Sequence, residues 1–168
     1  GLAAAIDHGM GPLRLRIYGE LDPAAQRFLD CHPMPDHVEV NGRIPVHRLA
    51  AEIGGAAALL LIIGDGHRTA LSAKVFDYLQ AERPILGYGH GASSAADLVK
   101  RCGVGAWADD QETLVRTLFT VAAGNIAYAP KPQEIHPYSA DATAQKTVDL
   151  LETVLEGPNG SGSGRRGS

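Results

Sequence analysis

Four polar side chains, Thr69, Ser72, Lys74 and Asp77, are spaced so that a helix starting near Thr69 carries them away from its apolar stripe of Leu71, Val75, Tyr78 and Leu79. The first turn of such a helix, Thr69 to Ala73, offers unpaired backbone N–H groups and a partial positive charge, and Ser72 adds a hydroxyl. Together these suit a phosphate. Asp77 follows roughly 8 to 10 Å further along the axis at 1.5 Å per residue. A carboxylate there can accept from two vicinal hydroxyls, as on a ribose whose phosphates rest at the helix start. Lys74, three residues before Asp77, can pair with it or reach a phosphate.

The elements that must position these groups read directly from the chain. The apolar run Ala56 to Ile63 is a buried strand in pattern, and Gly64-Asp65-Gly66 breaks it just before the helix. Arg83-Pro84 stops that helix, because proline cannot continue it, and Pro84 to Leu86 is the next strand. Gly87-Tyr-Gly-His-Gly91 then forms a glycine-rich loop that contains His90. Its spacing is not the dinucleotide fingerprint, so it points weakly to a nicotinamide cofactor. A second candidate site is the turn Asn41-Gly42-Arg43-Ile44-Pro45 after the short strand His37 to Val40. Gly42 allows close backbone approach, and Arg43 can stack on or bond a base.

The remaining expected elements alternate in the same manner. Leu2 to His8 is a short helix, and Leu13 to Tyr18 alternates as a strand with Arg14 and Arg16 on a solvated face. Asp22-Pro23 caps a helix to about Cys31, and Val46 to Ile53 is the next. A helix over Ala95 to Cys102, a strand over Gly103 to Ala108 and an acid-capped helix ending near Ala123 follow. Ala129 through Pro137 is expected to be extended, and Ser139 caps a last helix reaching Leu155. Strand and helix repeat about five times, which predicts an α/β, doubly wound, Rossmann-like parallel sheet with ligands at the carboxyl ends of its strands.

The segment from Lys74 to Leu86, KVFDYLQAERPIL, resembles the K-x-[FL]-E-Y-L-A-x-G-x-P-[IV]-[LV] segment in the donor-binding, C-terminal domain of GT-B fold glycosyltransferases of the group 1 kind. The order of elements around it is similar too, over about residues 12 to 123. Two departures stand out. Asp77 replaces the usual Glu, and Thr69 stands where some families carry a partner carboxylate. The resemblance implies one half of a GT-B enzyme that moves a sugar from a nucleotide-sugar donor to a glycan or lipid-linked acceptor, as in bacterial polysaccharide biosynthesis. It places the base at Gly42, Arg43 and Ile44, the diphosphate at the helix start with Ser72 and Lys74, the ribose at Asp77, and His90 in the cleft. It implies no cofactor beyond the donor substrate, leaves the catalytic base unassigned, and puts the acceptor-binding half and the first strand of this domain upstream of Gly1. A nucleotide-sugar 2-epimerase half on the same fold and a non-catalytic Rossmann-like binding or receiver module are the alternatives; Asp65 without a neighbouring acidic pair argues against a receiver.

Composition bounds the rest. The 168 residues suit one domain over residues 1–156, with a Gly/Ser-rich tail over 157–168. Apolar content of 45% and charged content of 20% are those of a folded globular chain. A net charge of −4 gives no general attraction for nucleic acid. Two distant cysteines and seven histidines without ligand spacing predict neither a disulfide framework nor a metal site. The longest apolar run, Ala56 to Ile63, is far short of the roughly 18 residues of a membrane span. Expected localisation is cytoplasmic, with the full-length enzyme at the inner face of the membrane where a lipid-linked acceptor would lie.

Overall fold

The structure is a computed structural model that describes residues 1–64, 71 and 73–155. It divides into two compact units, Gly1–Lys131 and Pro132–Ser168. The first is α/β with parallel strands throughout, as the alternating pattern predicts.

Within the first unit, helix α1 (Leu2–Asp7) precedes strand β1 (Leu15–Ile17), and α2 (Pro23–Cys31) leads to β2 (Val38–Val40). Helix α3 (Val46–Gly55) then leads to β3 (Leu59–Ile63), α4 (Ala73–Gln80) to β4 (Ile85–Gly89), and α5 (Ser94–Cys102) to β5 (Gly105–Ala108), with α6 (Gln111–Ala122) closing the unit. β1 and β2 pair in parallel, Leu15 opposite Val38 and Ile17 opposite Val40. β3, β4 and β5 form a second parallel sheet in that order, Leu61 opposite Gly87 and Gly87 opposite Trp107.

Hydrophobic burial is concentrated in the three-stranded sheet. Leu59, Leu61 and Ile63 are buried at alternate positions of β3, while Leu60 joins Ala5, Met10, Leu86, Leu118 and Val121 in a cluster under α1 and α6. α5 packs on β4 and β5 with Ala95, Ala96, Leu98, Val99 and Cys102 all buried, and α4 contributes Val75 and Leu79. Helices thus cover both faces, the condition a parallel sheet requires. The two-stranded sheet differs: neither its strands nor α2 and α3 contain a buried residue.

Capping residues set the helix starts. Asp22 accepts hydrogen bonds from the Ala24 and Ala25 amides at 2.8 and 3.0 Å with Pro23 in the first helical position. Buried Ser93 accepts from Ala96 N–H at 3.2 Å, and Asp110 from Thr113 N–H at 2.7 Å. The second unit contains α7 (Pro132–Ile135), a 3-10 turn over His136–Tyr138 and α8 (Ala140–Leu155), with Ser139 accepting from Ala142 N–H at 3.1 Å. Of the stretch Ala129 through Pro137, expected to be extended, the part from Pro132 on is therefore helical: Pro132 and Pro137 sit in first-turn positions, where a missing N–H costs nothing.

Candidate functional site

The site begins at the carboxyl end of the β1–β2 ladder. Past the strands the pairing continues, with Asn41 N–H donating to Ile17 O at 2.8 Å and Gly19 N–H to Gly42 O at 2.6 Å. This holds the turn Asn41 to Pro45 against the end of β1. Gly42 sits at φ +63°, a region that favours glycine, and no atom lies within 4 Å of where a Cβ would stand. The space above this backbone is open.

Beside the turn lies an open cavity of about 460 Å³ lined by Arg16, Tyr18, Glu39, Asn41, Ile44, Arg48 and Glu52. Strand alternation puts Arg16 and Tyr18 on one face of β1 and Glu39 and Asn41 on the same face of the adjoining chain. Arg48 and Glu52, four apart on α3, supply the facing wall. Arg16 bridges both walls, 3.5 Å from Glu39 and 3.1 Å from Glu52. With Arg16 and Glu39 each about half exposed, these pairs set side-chain positions more than they stabilise the fold. Partial burial, then the hydrogen bond and charge of Glu52, push the Tyr18 hydroxyl above its ordinary pKa. The hydroxyl therefore stays a donor throughout the neutral range. The cavity combines one apolar side chain, an amide, two guanidinium groups, two carboxylates and a phenol, a mixture that suits a flat polar ring with hydrogen-bonding edges.

The second candidate region is the carboxyl end of the three-stranded sheet. Thr69 and Ser72, with the helix start expected to hold phosphate, lie outside the described residues. Leu71 is not helical, and the described part of α4 begins at Ala73. Lys74 and Asp77 are exposed on α4, and Asp77 does not line the cavity beside Asn41 and Ile44.

His90 is exposed just past β4, where its Nδ1 accepts the Ala92 N–H at 3.2 Å. An Nδ1 that accepts leaves the proton of the neutral ring on Nε2. The glycines around it are explained by packing. A Cβ on Gly87 would strike the Trp107 ring, one on Gly89 would strike the Ile63 carbonyl, and one on Gly91 would stand 2.6 Å from an Asp109 carboxylate oxygen. Trp107 also donates from its indole N–H to Gly89 O at 3.0 Å.

Of the sequence-predicted residues, the structure brings Ile44 to the cavity lining, leaves Gly42 in the turn beside it, and turns Arg43 outward, 3.1 Å from Glu20 on the exposed surface. Lys74, Asp77 and His90 belong to the other strand ends. Arg16, read from sequence as part of a solvated face, is exposed and is also tied to Glu39 and Glu52. The four-residue spacing of Arg48 and Glu52 puts both on one face of α3, but nothing in the sequence sets that face against Glu39 and Asn41. Among the described residues no group of His, Cys, Asp or Glu side chains is placed to hold a metal, and no helix is long and apolar enough to cross a membrane.

No protein-family model matches the chain, and no curated protein sequence matches it. Among solved structures it is similar to that of AviGT4, a glycosyltransferase involved in avilamycin A biosynthesis, at a TM-score of 0.59 and 16% identity. The likeness covers 93% of this chain and 48% of that one, so the chain spans about half the length of the structure it matches. At that identity the likeness concerns the fold. The chain is a Rossmann-like α/β unit with parallel sheets, of the kind that forms one half of a GT-B glycosyltransferase.

Proposed function

We propose that this chain is the donor-binding half of a glycosyltransferase, similar to the group 1 kind, that moves a sugar from a nucleotide-sugar donor to a glycan or lipid-linked acceptor. The observation that carries the proposal is the likeness over 93% of the chain to a glycosyltransferase structure. The cavity at the ends of β1 and β2 supports it, because open parallel sheets take ligands at the carboxyl ends of their strands. In this reading the base lies over Gly42, against Ile44 and Asn41, with the Tyr18 hydroxyl and Arg48 as polar partners. Ser72 and Lys74 face the diphosphate, Asp77 holds the ribose hydroxyls, and His90 offers Nε2–H to the sugar or its phosphate. The general base for the acceptor hydroxyl comes from the half of the enzyme that this chain does not supply. The enzyme would work in the cytoplasm, at the inner membrane face when its acceptor is lipid-linked, in an assembly pathway for a glycan.

The test is calorimetric titration of the chain with UDP-, GDP- and ADP-sugars. One base should bind in preference to the others. Ile44→Asp and Asp77→Ala should each weaken it about tenfold, equivalent to ~1.4 kcal/mol. Binding of none of the three donors, or equal affinity in both variants, would overturn the assignment.

A further inference from the structure

We infer that the base selected by the cavity beside Asn41 and Ile44 is guanine, with Glu52 accepting from its N1–H and N2–H groups and Arg48 donating to its O6 and N7. The inference rests on the donor-half reading and names the donor class within it, a GDP-sugar.

The charge balance of the cavity comes first. Arg16 and Arg48 are matched by Glu39 and Glu52, so the lining carries no net charge and offers a phosphate no net attraction. A neutral ring with both donors and acceptors suits it better. The two cations are not equivalent. Arg16 holds both carboxylates, its Nε 3.5 Å from Glu39 Oε2 and its Nη1 3.1 Å from Glu52 Oε2. Among the described residues no carboxylate pairs with Arg48. Its guanidinium is therefore a fork of parallel donors still to be used. In both ion pairs Arg16 takes only Oε2, which leaves Oε1 of each carboxylate as an acceptor.

Placement sorts these groups. Arg48 and Glu52 lie one turn apart on the same face of α3, where residues four apart have Cβ atoms about 5–6 Å from each other. A donor fork and an acceptor thus stand side by side along one wall. Ile44, two residues ahead of α3, supplies apolar surface for a ring face. Arg16 acts as a positioning residue, holding Glu52 in place without having to touch the ring.

Bases differ in what they show to such a wall. Guanine presents O6 and N7 as neighbouring acceptors, the edge that arginine grips bidentately, and beside them N1–H and N2–H as neighbouring donors for a carboxylate. Adenine and cytosine each offer an amino group with no ring N–H beside it, and neither carries the O6–N7 pair. Uracil matches worst. Its ring N–H lies between two carbonyl oxygens, which would meet the carboxylate with lone pair against lone pair. The Glu52 side chain is only 37% exposed, so a ring laid on it removes much of its remaining water, and an unmatched edge then costs binding.

The experiment is calorimetric titration of the 168-residue chain with GDP, IDP, ADP, CDP and UDP. GDP should bind tightest. IDP, which lacks only the N2 amino group, should be about tenfold weaker, and UDP roughly a hundredfold weaker. In Glu52→Gln, which keeps the shape but only one acceptor oxygen, the GDP-to-IDP ratio should fall to about two. Arg48→Leu should bring GDP and IDP down toward UDP. A Glu52→Gln variant that loses affinity for both purines at an unchanged ratio would overturn the role of Glu52 and the inference with it. Equal binding of GDP and IDP by the parent chain, or preference for ADP, CDP or UDP, needs no variant and would also overturn it. The donor-half reading would survive those outcomes if Asp77→Ala still weakened every nucleotide alike through the ribose. Binding of none of the five would overturn both.

Discussion

Gly87 shows at the scale of a single residue how packing displaces a chemical reading. Three glycines in five residues look like a phosphate cradle, but Gly87 exists so that Trp107, 8% exposed, can lie across β4. Gly87→Ala should destabilise the unit by about 1–3 kcal/mol through overpacking. Because Trp107 is the one tryptophan, a red-shifted emission together with a lowered urea midpoint checks this directly. His90 carries a second prediction. Since its Nδ1 accepts the Ala92 amide, nitrogen shifts of the neutral imidazole should show the proton on Nε2. A ring with its proton on Nδ1 would contradict the loop geometry and remove the Nε2–H donor assigned to the cleft.

At the scale of elements, helix starts were the most legible part of the fold. Asp22-Pro23, Ser139 and Asp110 are local signals whose meaning does not depend on tertiary contacts, and each caps a helix in the structure. Strand limits were less legible: Leu13 to Tyr18 alternates over six positions, but β1 is Leu15–Ile17 because β2 supplies only three partners. The helix from Pro132 is not legible in the sequence, because proline ends helices and also starts them. The polar cavity was illegible for another reason, since it depends on Arg16 meeting Glu52 across 36 residues of chain. Asp110 permits a pH prediction. Its carboxyl is held below the ordinary Asp value chiefly by the Thr113 backbone N–H. A lowered folded pKa adds stability that is complete above the unfolded value, about 3.9, and is lost as the pH falls through the folded value. Asp110→Asn keeps a capping oxygen without a titrating group. Urea midpoints measured from about pH 5 down to pH 2 should fall less steeply in the variant than in the parent. Parallel curves would show that the α6 cap contributes nothing to acid sensitivity.

At the scale of the molecule, the decisive quantity is that the chain matches about half the length of a glycosyltransferase structure. On the donor-half proposal, the nucleotide is gripped at the carboxyl edge of one sheet while the acceptor and its base stand on the absent half. The cavity of about 460 Å³ is open, so a bound donor remains wet on the side where chemistry would occur. Most of the advantage of a two-substrate site comes from holding both reactants in attack geometry, worth roughly 7–11 kcal/mol when alignment is good. A half that holds one reactant forfeits that term, and also the water exclusion that protects an activated sugar from hydrolysis. The chain should therefore bind its preferred nucleotide-sugar yet release nucleotide from it no faster than buffer does, with or without added glycan. Joined to the remainder of the enzyme, the same chain should support transfer, and Ile44→Asp should then raise KM for the donor while leaving kcat within about twofold, as expected for a contact equal in ground and transition states. Appreciable transfer by the chain alone would place both the acceptor site and the base within these residues and overturn the division between halves.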